Sequence, residues 1–453
     1  MGSSIAVCIA AFFFLLWMLR GDSVSLGLPI AYLLSLLLIH VPGAYVHLVT
    51  NVHFVPDIGF ISNSVVETGI YFTAIGSMSF VVGVWAFRLF PMPRRPNVPA
   101  IDDWMFSRFC LFGGWLFTYG LSPLHSIPSL GAAADAAGTI WMLGVMLGLR
   151  SAIKERNPML AGAWLAALAV YPMLMLLLGG FLSYGSTAVI IVLSTLTISV
   201  KGRWKVTLGL IVSVYLGLSV FVNYFGHRNQ IRHEVWGGAP LEDRINATLD
   251  MFRDFKWFSS DNRRHVIALD TRLNQNVFAG IAAARIEQGR VDYLYGRSLW
   301  EGLLALVPRA LWPDKPVVAG SPKIVSEMTR LRLSTTTSFG VGNVMEFQIN
   351  FGIPGLIIGF FVLGFLIRAL DRSAAAAARR GEFGQAIMGF LPAVAIIQPN
   401  GSIVELSGGA AAAVVGAYGW RLAWTWWSAR TARRNHAPRQ DVPRSIDPLF
   451  PRQ

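Results

Sequence analysis

The sequence predicts an all-α polytopic membrane protein with about eleven transmembrane helices and one long extracytoplasmic loop containing short amphipathic helices. Three observations carry that prediction: composition, the spacing of apolar runs, and the side on which basic residues gather. The 453 residues are 54% hydrophobic and 14% charged, where an ordinary soluble domain carries about 25% charged residues, and mean hydropathy is +0.52. A net charge of +13 and a pI near 10.1 would suggest nucleic acid in a soluble protein. Here membrane topology and one loop account for the basic residues, and nucleic acid is not an expected partner. Cys8 and Cys110 both lie in apolar runs, which suggests neither a disulfide framework nor a cysteine metal site.

A spanning helix needs about 20 mostly apolar residues. Runs near that length extend from Ser4 to Leu19, Val24 to Val41, Gly69 to Phe87, Phe109 to Leu121, Ala132 to Leu149, Pro158 to Leu178, Phe181 to Val200, Val206 to Phe225, Val344 to Ile367, Phe383 to Ile397 and Ile403 to Leu422. The first reads as a retained helix and not a signal peptide, because nothing basic precedes it and no small-residue cleavage site is evident.

Lys and Arg collect in short cytoplasmic loops. On one side lie Arg20, then Arg88, Arg94, Arg95 and Arg108, then the stretches Arg150 to Arg156 and Lys201 to Lys205, then Arg368, Arg372, Arg379 and Arg380, then the tail from Arg430. The short segments opposite, 42–68, 122–131, 179–180 and 398–402, contain neither residue. This alternation puts the N-terminus outside and the C-terminus in the cytoplasm. The chain then divides into membrane helices over 1–226, an outer loop over 227–341, membrane helices over 342–428 and a cytoplasmic tail over 429–453. Trp424, Trp426 and Trp427 ahead of Arg430 suit an aromatic anchor at the last inner boundary.

A loop this long is more often functional or disordered than passive. Aromatic and aliphatic residues at Met251 to Phe258 and Tyr293 to Trp312 argue against disorder and suit the membrane surface. The strongest local signal runs from Tyr295 to Pro316. Leu299, Leu303 and Leu306 fall on one helical face, Trp300 and Trp312 suit an interface, and Pro308 stops the helix before Arg309. A second basic cluster, Arg228 and Arg232 with His227 and His233, opens the loop, and a spacing of four puts the two arginines on one helix face. The plain structural reading of both clusters is headgroup anchoring.

Gly296 and Ser298, an apolar stretch, then Pro308, Arg309, Trp312, Pro313, Lys315 and Pro316 precede Gly340, Gly342, Asn343, Glu346, Asn350 and Gly352. This pattern resembles the Wzy-type O-antigen and exopolysaccharide repeat-unit polymerases. The resemblance covers the loop, the following helix and the overall hydropathy; the helices before the loop match in character alone. The spacings Arg285 to Gly296 and Arg309 to Gly320 echo a motif of some members, with little weight in a chain of 44 glycines and 38 basic residues.

The resemblance implies a glycosyltransferase at the outer face of the bacterial inner membrane. The growing glycan leaves its carrier diphosphate and passes to the terminal hydroxyl of an undecaprenyl-diphosphate-linked oligosaccharide, with membrane lipids and a chain-length regulator as further partners. A diphosphate leaving group requires positive charge where negative charge develops, and Arg supplies it with a planar fork. The chain has no Asp-x-Asp motif and no His/Cys ligand spacing, so a metal-independent reaction without a cofactor is expected. Arg228, Arg232, Arg297, Arg309 and Lys315 are the candidate diphosphate ligands.

Glu346 and His233 are the candidate catalytic residues. Asn343, Glu346 and Asn350 share one helix face, and an ionisable side chain in a membrane run is a functional candidate by default. Glu346 is either the base for the acceptor hydroxyl or the partner of a loop arginine. His227, His233 and His265 titrate near neutral pH, and solvation is their plain reading. Two other functions fit the hydropathy. A ligase uses the same lipid donor, whereas a transporter without enzymatic activity should show related halves with broken helices.

Overall fold

Apolar runs become helices along most of their length, and local end signals set their bounds. The computed structural model describes residues 1–20, 22, 24–50, 54–55, 59–90, 103–120, 130–200, 202–309, 311–312, 314–315, 321–331 and 340–435. Arg94, Arg95, Lys201, Pro313, Pro316 and Gly320 lie outside the described residues, as does the tail beyond Asn435. In chain order the helices are α1 (Gly2–Leu19), α2 (Leu28–Leu38), α3 (Val41–Val49), α4 (Asn63–Ala86), α5 (Asp103–Trp115), α6 (Leu130–Gly138), α7 (Ile140–Lys154), α8 (Pro158–Gly179) and α9 (Ser183–Ser199). They continue as α10 (Arg203–Trp236), α11 (Leu241–Arg253), α12 (Arg263–Arg272), α13 (Asn276–Glu287), α14 (Arg297–Ala305), α15 (Ser321–Thr329), α16 (Asn343–Arg379), α17 (Phe383–Ile396) and α18 (Ile403–Asn435). Phe54–Val55 and Gly59–Phe60 form a short antiparallel pair. In α8, the Asn157 side chain accepts from Leu160 N, Pro158 opens the first turn and left-handed Gly180 closes the last.

Among the described residues, eight helices are long and apolar enough to cross a membrane, and Gly185–Ser199 and Phe383–Ile396 are shorter apolar helices. The chain is an all-α membrane protein.

Two of the long spans are broken, and residues of the long loop fill both breaks. Pro42 starts α3 immediately after α2 ends, because its ring cannot continue an existing helix. The polar backbone freed there is satisfied by the segment between α12 and α13. Gln275 N donates to Ile39 O at 3.0 Å and Gly43 N donates to Leu273 O at 3.1 Å, while Asn276 Nδ2 donates to His40 O at 2.7 Å. Within α16, Phe351 and Gly352 leave helical geometry ahead of Pro354. There Leu294 N donates to Ile349 O at 2.8 Å and Gly296 N to Asn350 Oδ1 at 2.9 Å. Backbone polar groups inside a membrane protein need such partners.

The loop is thereby built into the helical body. Val277, Phe278, Ala279 and Ala282 of α13 belong to the main hydrophobic core, and buried His47 contacts Asp270 at 3.1 Å and Asn63 at 3.0 Å. Met251, expected at the membrane surface, is fully buried among Leu176, Tyr224, Ile231 and Val235. The helix before the loop also does not end near residue 226 but runs on to Trp236.

Arg368, grouped by sequence with loop cations, is fully buried. Its guanidinium pairs with Asp22 and, at 2.7 Å, with Asp371. Asp371 also accepts from Ser25 Oγ at 2.7 Å and Leu26 N at 2.9 Å, fastening the approach to α2. Burial works against ionisation of Asp22, but the Val24 N–H and Arg368 hold its carboxyl below the ordinary value. Removing one member of a buried ionic group leaves the others uncompensated, at a cost of about 3–5 kcal/mol. Asp371→Ala is therefore expected to lower the thermal unfolding midpoint of the detergent-purified protein clearly. An unchanged midpoint would show that this cluster does not hold the fold.

Candidate functional site

The start of α18 organises the polar seam at the end of the loop. A helix N-terminus leaves backbone N–H groups unpaired and carries partial positive charge. Ser402 and Glu405 form a capping box: Ser402 Oγ accepts from Glu405 N at 3.2 Å, and Glu405 Oε2 accepts from Ser402 N at 2.9 Å. The Ile403 N–H donates to Glu346 Oε2 at 2.7 Å. Glu346 is fully buried, and among the described residues its Oε1 makes no regular hydrogen bond.

Asn343, Glu346 and Asn350 share a face, but each fastens a different element. Asn343 Oδ1 accepts from Tyr32 of α2 at 2.7 Å and its Nδ2 donates to Gly401 O at 3.1 Å. Asn350 Nδ2 donates to Ser298 Oγ of α14 at 2.8 Å, which leaves the Ser298 proton available to the neighbouring Glu346. The glycine-rich approach to α16 fits the same seam. Gly342 N and Asn343 N donate to Asn400 O and Pro399 O at 3.2 and 2.9 Å. A Cβ at Gly340 would overlap the Asn400 carbonyl.

Helix α14 lies over this seam with its small residues inward. Ser298, Gly302 and Ala305 are buried, and a Cβ at Gly302 would come within 2.6 Å of Ile403. Trp300 and Leu303 of α14 point away from the protein, 62% and 58% exposed, as does Leu311 beyond its end at 79%, whereas Leu299 and Leu304 pack partly against the core. An apolar face turned outward beside cations is the pattern of an interfacial helix.

Arg309 is exposed just beyond α14. Lys315 Nζ donates to Val307 O at 2.7 Å and Ala305 O at 3.3 Å, closing the helix's C-terminal end. Burial, and then the charge of Arg309, hold the Lys315 ammonium below its ordinary pKa. An ammonium has three donors, so one remains after these two bonds. At the other end of α14, Arg297 pairs with Glu327 of α15 at 2.8 Å.

The other predicted cluster is held elsewhere. Arg228 and Arg232 lie on α10, Arg228 stacking over Phe225 at 5.2 Å and Arg232 over Phe181 at 4.7 Å and Trp236 at 5.1 Å. Helix α10 packs on α8 and α11, whereas α14 packs on α18 and α16. His233 is 84% exposed, 3.6 Å from Glu234. His227 Nδ1 contacts the Asn223 carbonyl oxygen at 3.0 Å. Burial and Lys256 push the pKa of His265 down, and its Nδ1 accepts from Ser259 N at 3.2 Å. Glu346 enters no ion pair with an arginine among the described residues. Of the two readings of Glu346, pairing with a loop arginine is thus not seen among the described residues; its Oε2 faces a helix N-terminus, whose partial positive charge favours a carboxylate.

One basic group was not legible as a group. The charges acting on half-buried Arg285 are those of Arg330 and Arg290, and with burial, the larger cause, they lower its pKa. Its Nε is buried without a partner among the described residues. These residues come from the ends of α13 and α15, which pack together, and sequence spacing gives no sign of their convergence. The chain matches no protein-family model, no curated protein and no solved structure in the comparisons made.

Proposed function

We propose that this chain polymerises polyprenyl-diphosphate-linked oligosaccharide repeat units at the outer face of the inner membrane. In this reading the chain crosses the membrane about eleven times, with its N-terminus outside and C-terminus in the cytoplasm, and arginine and lysine replace a metal. The observation that carries it is α14, which turns its apolar face outward, delivers Arg309 and Lys315 just past its end, and covers buried Glu346.

The reaction follows from those roles. The acceptor hydroxyl loses its proton to Glu346 Oε1 as its oxygen bonds to the anomeric carbon of the donor. The bond from that carbon to the carrier phosphate oxygen breaks, and the diphosphate leaves with the bonding pair, its charge met by Arg309 and Lys315. Arg285, Arg290 and Arg330 raise the positive potential over the loop and favour the approach of an anionic carrier. A transporter reading is less well supported, because loop residues hydrogen-bond into both broken spans.

A deletion strain tests the proposal. Loss of polymer with accumulation of a single lipid-linked repeat unit is expected. Long lipid-linked polymer that never reaches its final acceptor would instead identify a ligase.

A further inference from the structure

A groove of about 620 Å³ lies away from the loop, between α5, α7 and α8. Its lining changes character along its length. Trp104 and Arg108 are in the first turns of α5, and Glu155 follows the last residue of α7, in the short turn before α8. These polar groups therefore share one end, at the membrane face where two spanning helices, Leu130–Lys154 and Pro158–Gly179, meet. Leu111, Phe112, Ala163 and Ala167 line the remainder. From Trp104 to Phe112 the α5 wall rises about 12 Å at 1.5 Å per residue, enough for the upper part of an acyl chain.

The polar end is ordered. Trp104 stacks on Trp164 with centroids 6.0 Å apart, and Trp104 Nε1 donates to Glu155 Oε1 at 3.1 Å. Trp164 is itself seated over Gly148, where a Cβ would collide with the indole. Tryptophan at such a boundary is at home beside lipid headgroups. Among the lining residues the groove mouth offers an exposed cation, Arg108, and an exposed carboxylate, Glu155, the latter flanked in the chain by exposed Lys154 and Arg156.

We propose that this groove is a binding site for a phospholipid with a phosphoethanolamine headgroup. Arg108 meets the phosphate, Glu155 accepts from the primary ammonium through the oxygen not used by Trp104, and an acyl chain lies along Phe112, Ala163 and Ala167. Charge complementarity selects this occupant. A glycerol headgroup brings no ammonium for the Glu155 carboxylate that lines the groove, and a choline headgroup has no N–H to donate. Guanidinium suits phosphate through its planar fork.

The test is native mass spectrometry of the full chain released from nanodiscs of equimolar phosphatidylethanolamine, phosphatidylcholine and phosphatidylglycerol. The wild type is expected to retain phosphatidylethanolamine over either competitor by about tenfold, the equivalent of one good charged contact. Glu155→Gln, which keeps an acceptor for Trp104, is expected to abolish preference over phosphatidylglycerol. Ala163→Trp fills the groove and is expected to remove the retained lipid, whereas Ala166→Trp, also exposed on α8 but outside the lining, should leave it. Equal retention of the three lipids by the wild type, or undiminished retention in Ala163→Trp, would overturn the proposal. Preference for phosphatidylglycerol would overturn it in favour of a plain anion site. Should Ala163→Trp fail to fold, Arg108→Gln at an exposed position must lower phosphatidylethanolamine retention, and an unchanged value refutes the assignment.

Discussion

Glu346→Gln is expected to reduce turnover on lipid-linked repeat units by about 10²–10⁴-fold, the usual contribution of a positioned general base, while leaving the protein folded. The distinction rests on its two oxygens. Oε2 accepts from the Ile403 N–H, and a glutamine oxygen can do the same. Among the described residues Oε1 makes no regular hydrogen bond, with the Ser298 hydroxyl beside the carboxylate, and an amide in its place cannot take a proton. Glu346→Ala removes both functions and leaves a buried N–H unsatisfied at the start of α18, which costs about 1–3 kcal/mol. The expected pattern is an inactive, stable Gln variant and an inactive, less stable Ala variant. A Gln variant with full turnover would reduce Glu346 to a staple between helices and place the base elsewhere.

Arg309→Ala is expected to remove about 2.7–4 kcal/mol of transition-state stabilisation, a loss of about a hundredfold or more, as when a positioned oxyanion donor is deleted. Arg309→Lys should recover only part, because an ammonium keeps the charge and loses the fork. Arg232 supplies a contrast within the same chain. It lies over Phe181 and Trp236, and each such contact is worth about 0.5–1 kcal/mol at an exposed site. Arg232→Ala should therefore lower the amount of folded protein more than the rate per folded molecule. Turnover normalised to folded protein separates the two cases. Near-normal turnover in Arg309→Ala would remove that residue from the mechanism.

The sequence made the helices legible because hydropathy and end signals are local. It also placed Asn343, Glu346 and Asn350 on one face, and it anticipated a helix at α14 with exposed Trp300 and Leu303 and with Pro308 just beyond its end. The breaks were visible only as Pro42, Gly352 and Pro354, whose effect disappears inside an otherwise apolar run. The stitching could not be read, since the apolar stretch of α13 is too short to span and too long for a turn, and its partners lie far away in sequence. Arg368 looks like a snorkelling cation at a helix end. Its burial depends on Asp371 at i+3 and on Asp22 from another part of the chain. The Ser402–Glu405 capping box was legible in principle, and it explains why a carboxylate from another helix also belongs at that helix start.

The central claim is tested most directly by giving the purified chain, in nanodiscs, a single species of polyprenyl-diphosphate-linked repeat unit and resolving the products by length. The account predicts a ladder of lipid-linked glycans growing by whole repeat units, with release of polyprenyl diphosphate. Folded wild-type protein that leaves the repeat unit unextended, with donor and acceptor both present, would contradict it.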